Sequence, residues 1–145
     1  MTGGVAGDPR LQVAHQSRLA YKRVMQEGCV FIKYGRRGWP KRRFVWLTGE
    51  VDAIRWRAPG TEATPLKQSE LLAGKGCVRV PQILEVYPDA STAVMQANKK
   101  YLKNPTLCFS IVVGDRTLDL EADSMEVKTQ WVQALLALIK YRGGM

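Results

Sequence analysis

The chain predicts an α+β fold that is mainly β: a seven-stranded antiparallel β-sandwich or barrel, capped by a C-terminal α-helix and preceded by an extra N-terminal helix. Three observations lead there. Short β-prone runs separated by Gly- and Pro-rich turns recur from Cys29 to Leu120. One strongly amphipathic stretch closes the sequence, and strands followed by a helix make an α+β pattern. The 145 residues, 46% hydrophobic and 24% charged, suit one domain with its own core and no need of disulfides or metal.

Asp8-Pro9 reads as a helix start, a carboxylate cap before Pro at the first helical position, with a helix over about 9–26 that Gly28 stops. Cys29–Tyr34 is the first strand and Gly35–Pro40 a loop. Arg42–Thr48 is the second strand, Gly49-Glu50 a tight turn, and Asp52–Arg57 the third strand. Residues 58–76 are polar and turn-rich and read as a long exposed loop with a helical turn near Glu70–Ala73. Strands resume at Cys77–Val80 and Ile83–Tyr87, broken by Pro81. Residues 89–106 read as another loop, and Leu107–Val113 and Arg116–Leu120 as the last two strands. Asp123 and Glu126 stand as an N-cap and its capping-box acid. Met125, Trp131, Val132, Leu135, Leu138 and Ile139 then repeat at helical spacing before Gly143. The organisation expected is an extension over 1–27, helical from 9, a domain over 28–141 and a tail over 142–145.

Catalysis is poorly supplied, and no enzyme is expected. The single His15 falls in the first helix, and no phosphate loop, GxSxG or HExxH pattern occurs. Asp119 and Glu121 alternate on a strand and are expected to face solvent. Cys29, Cys77 and Cys108 fit neither a disulfide framework nor a zinc site and read as buried, reduced thiols. No metal and no cofactor are expected. Neither a secretory signal nor an N-myristoylation pattern is expected from the opening residues, and no run is apolar enough to cross a bilayer.

Charge carries the functional signal. Lys plus Arg number 22 against 13 acids, for a net charge of +9. Residues 30–60 hold eight cations against two acids and so supply +6 of it. Lys33 ends the first strand while Lys41 and Arg43 begin the second, so they converge on one mouth. Lys41 and Arg43 lie two apart and project to one face. Arg36 and Arg37 sit in the loop between. Such a cluster grips phosphates, Arg as a fork and Lys as a point charge. Arg55 and Arg57 are secondary candidates whose face depends on register. A two-residue turn at Gly49-Glu50 puts them opposite Arg43, and a three-residue loop puts them beside it. Grouping Phe44, Trp46, Ile54 and Trp56 on one face favours the second.

The run Cys29-Val-Phe-Ile-Lys33-Tyr-Gly-Arg-Arg-Gly-Trp39-Pro-Lys41-Arg-Arg43-Phe44-Val-Trp-Leu47 resembles the opening hairpin of a pleckstrin homology (PH) domain. The resemblance is closest to PH domains of phosphoinositide-specific phospholipase C and of plant proteins that join a PH domain to a FYVE finger. It continues through Ile83–Tyr87, Cys108–Leu120 and the closing helix with Trp131. It implies a bent seven-stranded sandwich with a lipid-headgroup site at the end away from the helix. It also implies that Lys33, Lys41 and Arg43 occupy the basic positions of lipid-binding members, and that Trp39 matches a loop Trp of the phospholipase type. Pro40 and the longer loop at 58–76 depart from that type.

The function expected is a phosphoinositide or other anionic-lipid module that recruits the protein to the cytoplasmic face of membranes as a peripheral component. Trp39 is the membrane-interface residue, and phosphatidylinositol 4,5-bisphosphate the headgroup the resemblance favours. The first alternative is a protein-interaction module docking through the N-terminal helix or the 58–76 loop. The second is single-stranded nucleic acid stacked on Trp39, Trp46 or Trp56. No nucleic-acid partner is expected.

Overall fold

The computed structural model of the chain describes residues 20–73 and 75–142. The expected cap at Asp8-Pro9, His15, residues 9–19 of the first helix and Gly143 lie outside them. Residues 20–27 are helical (α1). Met25 is fully buried and Tyr21 and Val24 pack on the same core, whereas Ala20 is exposed. Gly28 ends α1 with φ of 80°. A Cβ there would lie 2.3 Å from Cζ of Phe44, so the residue answers both to a left-handed turn and to a close approach.

Seven strands follow: β1 (Cys29–Tyr34), β2 (Lys41–Leu47), β3 (Ala53–Arg57), β4 (Cys77–Arg79), β5 (Ile83–Tyr87), β6 (Cys108–Val113) and β7 (Arg116–Glu121). They form one antiparallel sheet in the order β4-β3-β2-β1-β7-β6-β5. β1 pairs with both β2 and β7, and the sheet bends enough for Arg116 of β7 to reach the Cys77 carbonyl of β4, four places away in the order; β4 and β5 are edges that do not pair with each other. The sheet is therefore bent but not closed. Pro81 sits in a 3-10 turn, Val80–Gln82, that parts β4 from β5.

The inner face of the bend holds the core. Phe31, Val45, Leu47, Ile54, Val78, Phe109, Ile111, Leu118 and Leu120 are buried there, at alternate positions along their strands. The closing helix, α4 (Met125–Tyr141), buries Trp131, Ala134, Leu135 and Leu138 against them. Trp131 meets Phe31 edge-on at 5.0 Å, and Phe31 meets Phe109 at 5.5 Å. The N-cap of α4 is Ser124, not Asp123; its hydroxyl accepts the Val127 N–H at 3.2 Å.

Residues 58–76 contain α2 (Gln68–Ala73). Residues 88–107 are more ordered than a loop. They hold α3 (Ala93–Ala97) and two 3-10 turns, Lys99–Tyr101 and Pro105–Leu107, laid over the outer face of β1, β7 and β6. Here the expectation for Asp119 and Glu121 fails, since both are 1% exposed. Asp119 accepts hydrogen bonds from the hydroxyls of Thr92 (2.6 Å), Ser110 (2.7 Å) and Thr117 (2.6 Å). Glu121 accepts from the Tyr34 hydroxyl (2.6 Å) and from the Lys103 and Asn104 amides (3.2 and 2.9 Å). The two carboxylates fasten this segment to the sheet, which is why they are not on the surface. Burial, and then Glu121, push the Tyr34 hydroxyl far above its ordinary range. Cys77 and Cys108 are buried and in no disulfide, the Cys108 thiol pushed up to about 12 by burial first; Cys29 is only half-buried.

Candidate functional site

Strand alternation builds the site at the end of the bend opposite α4. On β1 the inward positions run from Phe31 to Lys33; on β2 they run back from Val45 to Arg43 and Lys41. Once past the hydrophobic core, the same face becomes cationic. Lys33 and Lys41 are directly paired across β1 and β2, and Arg43 is paired with Phe31. On β3, Trp56 is the partner of Val45 and joins this face. The Lys33 ammonium stands over its ring, 5.3 Å from the centroid.

Lys33 is half-buried. Burial holds its ammonium below the usual lysine range, and the charges of Arg43, Arg116 and Lys41 push the same way, while Asp119 opposes them. Three other cations are thus within electrostatic reach of Lys33. The nearby carboxylate, Asp119, lies on the other face of β7 with its oxygens taken by three hydroxyls, and it does not fill the mouth.

Arg116 is the residue that charge reading passed over. It shares the inward parity of Leu118 and Leu120, and its guanidinium donates to the Cys77 carbonyl at 2.6 Å, spanning the mouth from β7 to β4. The signal was present in the Arg-Thr-Leu-Asp-Leu alternation. A strand whose leucines face inward must turn its first residue inward as well.

The remaining candidates separate. Arg36 and Arg37 are exposed in the β1–β2 loop. Arg36 donates to the Asp115 carbonyl at 3.3 Å. With Arg116, Thr92 and Thr117 it lines a cleft of about 260 Å³. Trp39 is 71% exposed, and its ring meets Tyr101 edge-on at 5.2 Å.

Arg55 and Arg57 do not join the mouth. Leu47 pairs with Ile54 and Val45 with Trp56, so both arginines share the outer face with Phe44 and Trp46, which stack at 5.6 Å. The connection is neither of the two lengths weighed from sequence. It spans residues 49–52, closed by Thr48 N–H to the Ala53 carbonyl at 2.9 Å, with Val51 at φ of 60°. Four residues keep the parity of two, so Arg43 is left on the opposite side. Arg55 is buried, and Arg57 donates to the Thr64 carbonyl at 2.5 Å and approaches Glu70 at 3.9 Å, holding the 58–76 segment.

No group of metal-ligating side chains and no helix long and apolar enough to cross a membrane occur among the described residues.

By sequence, no curated protein matches the chain. Among solved structures it is similar to the PH domain from TgAPH, at 13% identity over 92% of this chain and 98% of that one, with a TM-score of 0.56. It is also similar to Inner Membrane Complex Sub-compartment Protein 3 from Toxoplasma gondii (9% identity, 86% and 84% covered, TM-score 0.53). A third likeness is to the C-terminal PH domain of pleckstrin, solved in complex with D-myo-Ins(1,2,3,5,6)P5 (18% identity, 77% and 92% covered, TM-score 0.52). At such identities these likenesses carry the fold, and they do not extend to the phospholipase-like subtype. The family model for the pleckstrin homology domain matches residues 16–140. With the bent seven-stranded sheet and its closing helix, that match places the chain in the pleckstrin homology domain family.

Proposed function

We propose that the mouth formed by Lys33, Lys41, Arg43 and Arg116 binds phosphoinositide headgroups and holds the protein on the cytoplasmic face of membranes as a peripheral component. The observation that carries this reading is the half-buried Lys33 ammonium kept among three other cations. Like charges gathered in a partly desolvated place are unfavourable by themselves and favourable around a polyanion. The pleckstrin domain solved with an inositol pentakisphosphate supports it by fold alone. Trp39, exposed at the tip of the adjoining loop, suits the membrane interface. Arg36 and Arg37 add surface charge beside the mouth rather than chelation within it. A preference for phosphatidylinositol 4,5-bisphosphate rests on the phospholipase-like hairpin only.

Charge reversal of Lys41 and Arg43 (K41E/R43E) is expected to abolish sedimentation with phosphoinositide vesicles. Full binding by this variant would overturn the reading. The competing role, protein docking through α1 or the 58–76 segment, has an exposed Leu71 on α2 in its favour. It predicts cellular localisation indifferent to the same two substitutions.

A further inference from the structure

The 58–76 segment carries a motif that the lipid reading does not use. Thr64-Pro65-Leu66-Lys67 stands in its middle, and of the Ser and Thr residues in the chain Thr64 alone precedes a proline. Proline-directed kinases read that proline, whose φ is fixed and which brings no N–H to be satisfied in the substrate channel. Those with an acidic pocket further along also favour a base three positions after the hydroxyl, where Lys67 stands.

The structure presents the motif. Residues 62–65 are exposed and belong to no helix or strand, and Lys67 is exposed too. Thr64 is held lightly: its amide donates to the Thr61 carbonyl at 3.0 Å, and its carbonyl accepts from Arg57. Among the described residues its hydroxyl forms no hydrogen bond.

A second observation comes from the outer face of β3. Arg57 donates to the Thr64 carbonyl at 2.5 Å, which sets a guanidinium beside the residue whose hydroxyl would be modified. Two positions back on the same face, Arg55 is 6% exposed, and among the described residues its guanidinium has no hydrogen bond and no ion pair. A buried guanidinium without an acceptor is unfavourable, and an anion brought to that face relieves it. The carboxylate near Arg57, Glu70, is 3.9 Å away and also accepts the Lys67 amide at 3.0 Å. A phosphate, with about −1.5 to −2 charge and three acceptor oxygens, outcompetes it.

We propose that Thr64 is a phosphorylation site of proline-directed kinases, and that Arg57 and Arg55 hold the phosphate once it is attached. The γ-phosphoryl group of ATP passes to the Thr64 oxygen. A bond from that oxygen to phosphorus forms, the bond from the γ-phosphorus to the β–γ bridging oxygen breaks, the hydroxyl proton goes to the kinase's base, and ADP leaves. The product clamps the 58–76 segment to β3.

The test treats the full chain with ATP and a cyclin-dependent kinase. Intact mass is expected to rise by one phosphate, and Thr64→Ala should abolish the gain. In a phosphorus NMR titration the phosphate should titrate about one unit below the value of about 6 usual for a phosphothreonine, because two guanidinium groups favour the dianion. Arg57→Gln should return it most of the way while thermal unfolding stays close to the parent's. Proteolysis within 58–76 should slow several-fold on phosphorylation in the parent and not in Arg57→Gln. No incorporation into the folded chain overturns the proposal, whether or not a peptide of residues 58–70 is a substrate. So does a phosphate at Thr64 whose titration is ordinary and indifferent to Arg57→Gln.

Discussion

The Arg116 guanidinium reaches the Cys77 carbonyl at 2.6 Å and so joins the first residue of β7 to the first residue of β4 across the cationic mouth. One side chain thus both braces two strands that share no ladder and adds charge beside Lys33.

Replacing Arg116 by Gln is expected to weaken soluble inositol phosphate binding by about tenfold or more, since a hydrogen bond to a charged group contributes about 1.5–3 kcal/mol. Lysine should restore part of the affinity through its charge but not the brace. Calorimetric titration of the two variants, with urea unfolding alongside, separates the roles.

Lys33 supplies a pH signature. Its folded pKa lies below the usual 10.5 because burial comes first and neighbouring cations second. Between the folded and unfolded values the unfolded chain binds more protons, so this residue makes stability rise with pH across that window. Below the window the unfavourable ammonium is fully present. A bound polyanion favours the ammonium, so within the window, where the free folded protein has lost that proton, binding takes one up, and affinity falls as pH rises through the Lys33 pKa. Titrations in buffers of differing ionisation enthalpy should show that uptake in the parent and lose it in Lys33→Arg.

The register of β2 and β3 gives a negative expectation. Arg57→Gln removes the contacts to Thr64 and Glu70 on the outer face. It should leave trisphosphate affinity unchanged while making the 58–76 segment easier to cleave in limited proteolysis. A marked loss of affinity would require Arg57 to reach the mouth.

The buried carboxylate on β7 is a stability element. Tyr34→Phe removes one donor to Glu121 and should lower unfolding free energy by about 1–2 kcal/mol. Glu121→Leu leaves the Lys103 and Asn104 amides without their acceptor and should lower it by about 3 kcal/mol. Chemical denaturation of both variants checks the order.

Local pattern made much of this legible. Strand bounds fell within a residue or so of expectation because turns and β-branched runs alternate plainly, and Lys33, Lys41 and Arg43 share a face by parity alone. What failed depended on contacts distant in sequence. Asp119 and Glu121 look like solvent-facing strand residues until Thr92, 27 positions away, and Tyr34, 87 positions away, are brought to them. The face of Arg55 and Arg57 turned on the connection after Leu47. Gly49-Glu50 reads as the whole turn, but the Thr48 hydroxyl takes the Asp52 and Ala53 amides and lengthens it. Preferring a single large apolar face was misleading, since Phe44 and Trp46 stack on the outside.

Setting Lys33 opposite Lys41, the last pair of the β1–β2 ladder, places a standing repulsion at that end of the hairpin. An anion lodged between them would act as a further rung, so a headgroup bound there would brace the hairpin as well as anchor the domain. On the proposed reading, occupancy and the tightness of that hairpin end become one equilibrium, and loss of the headgroup loosens the two strands where Lys33 faces Lys41.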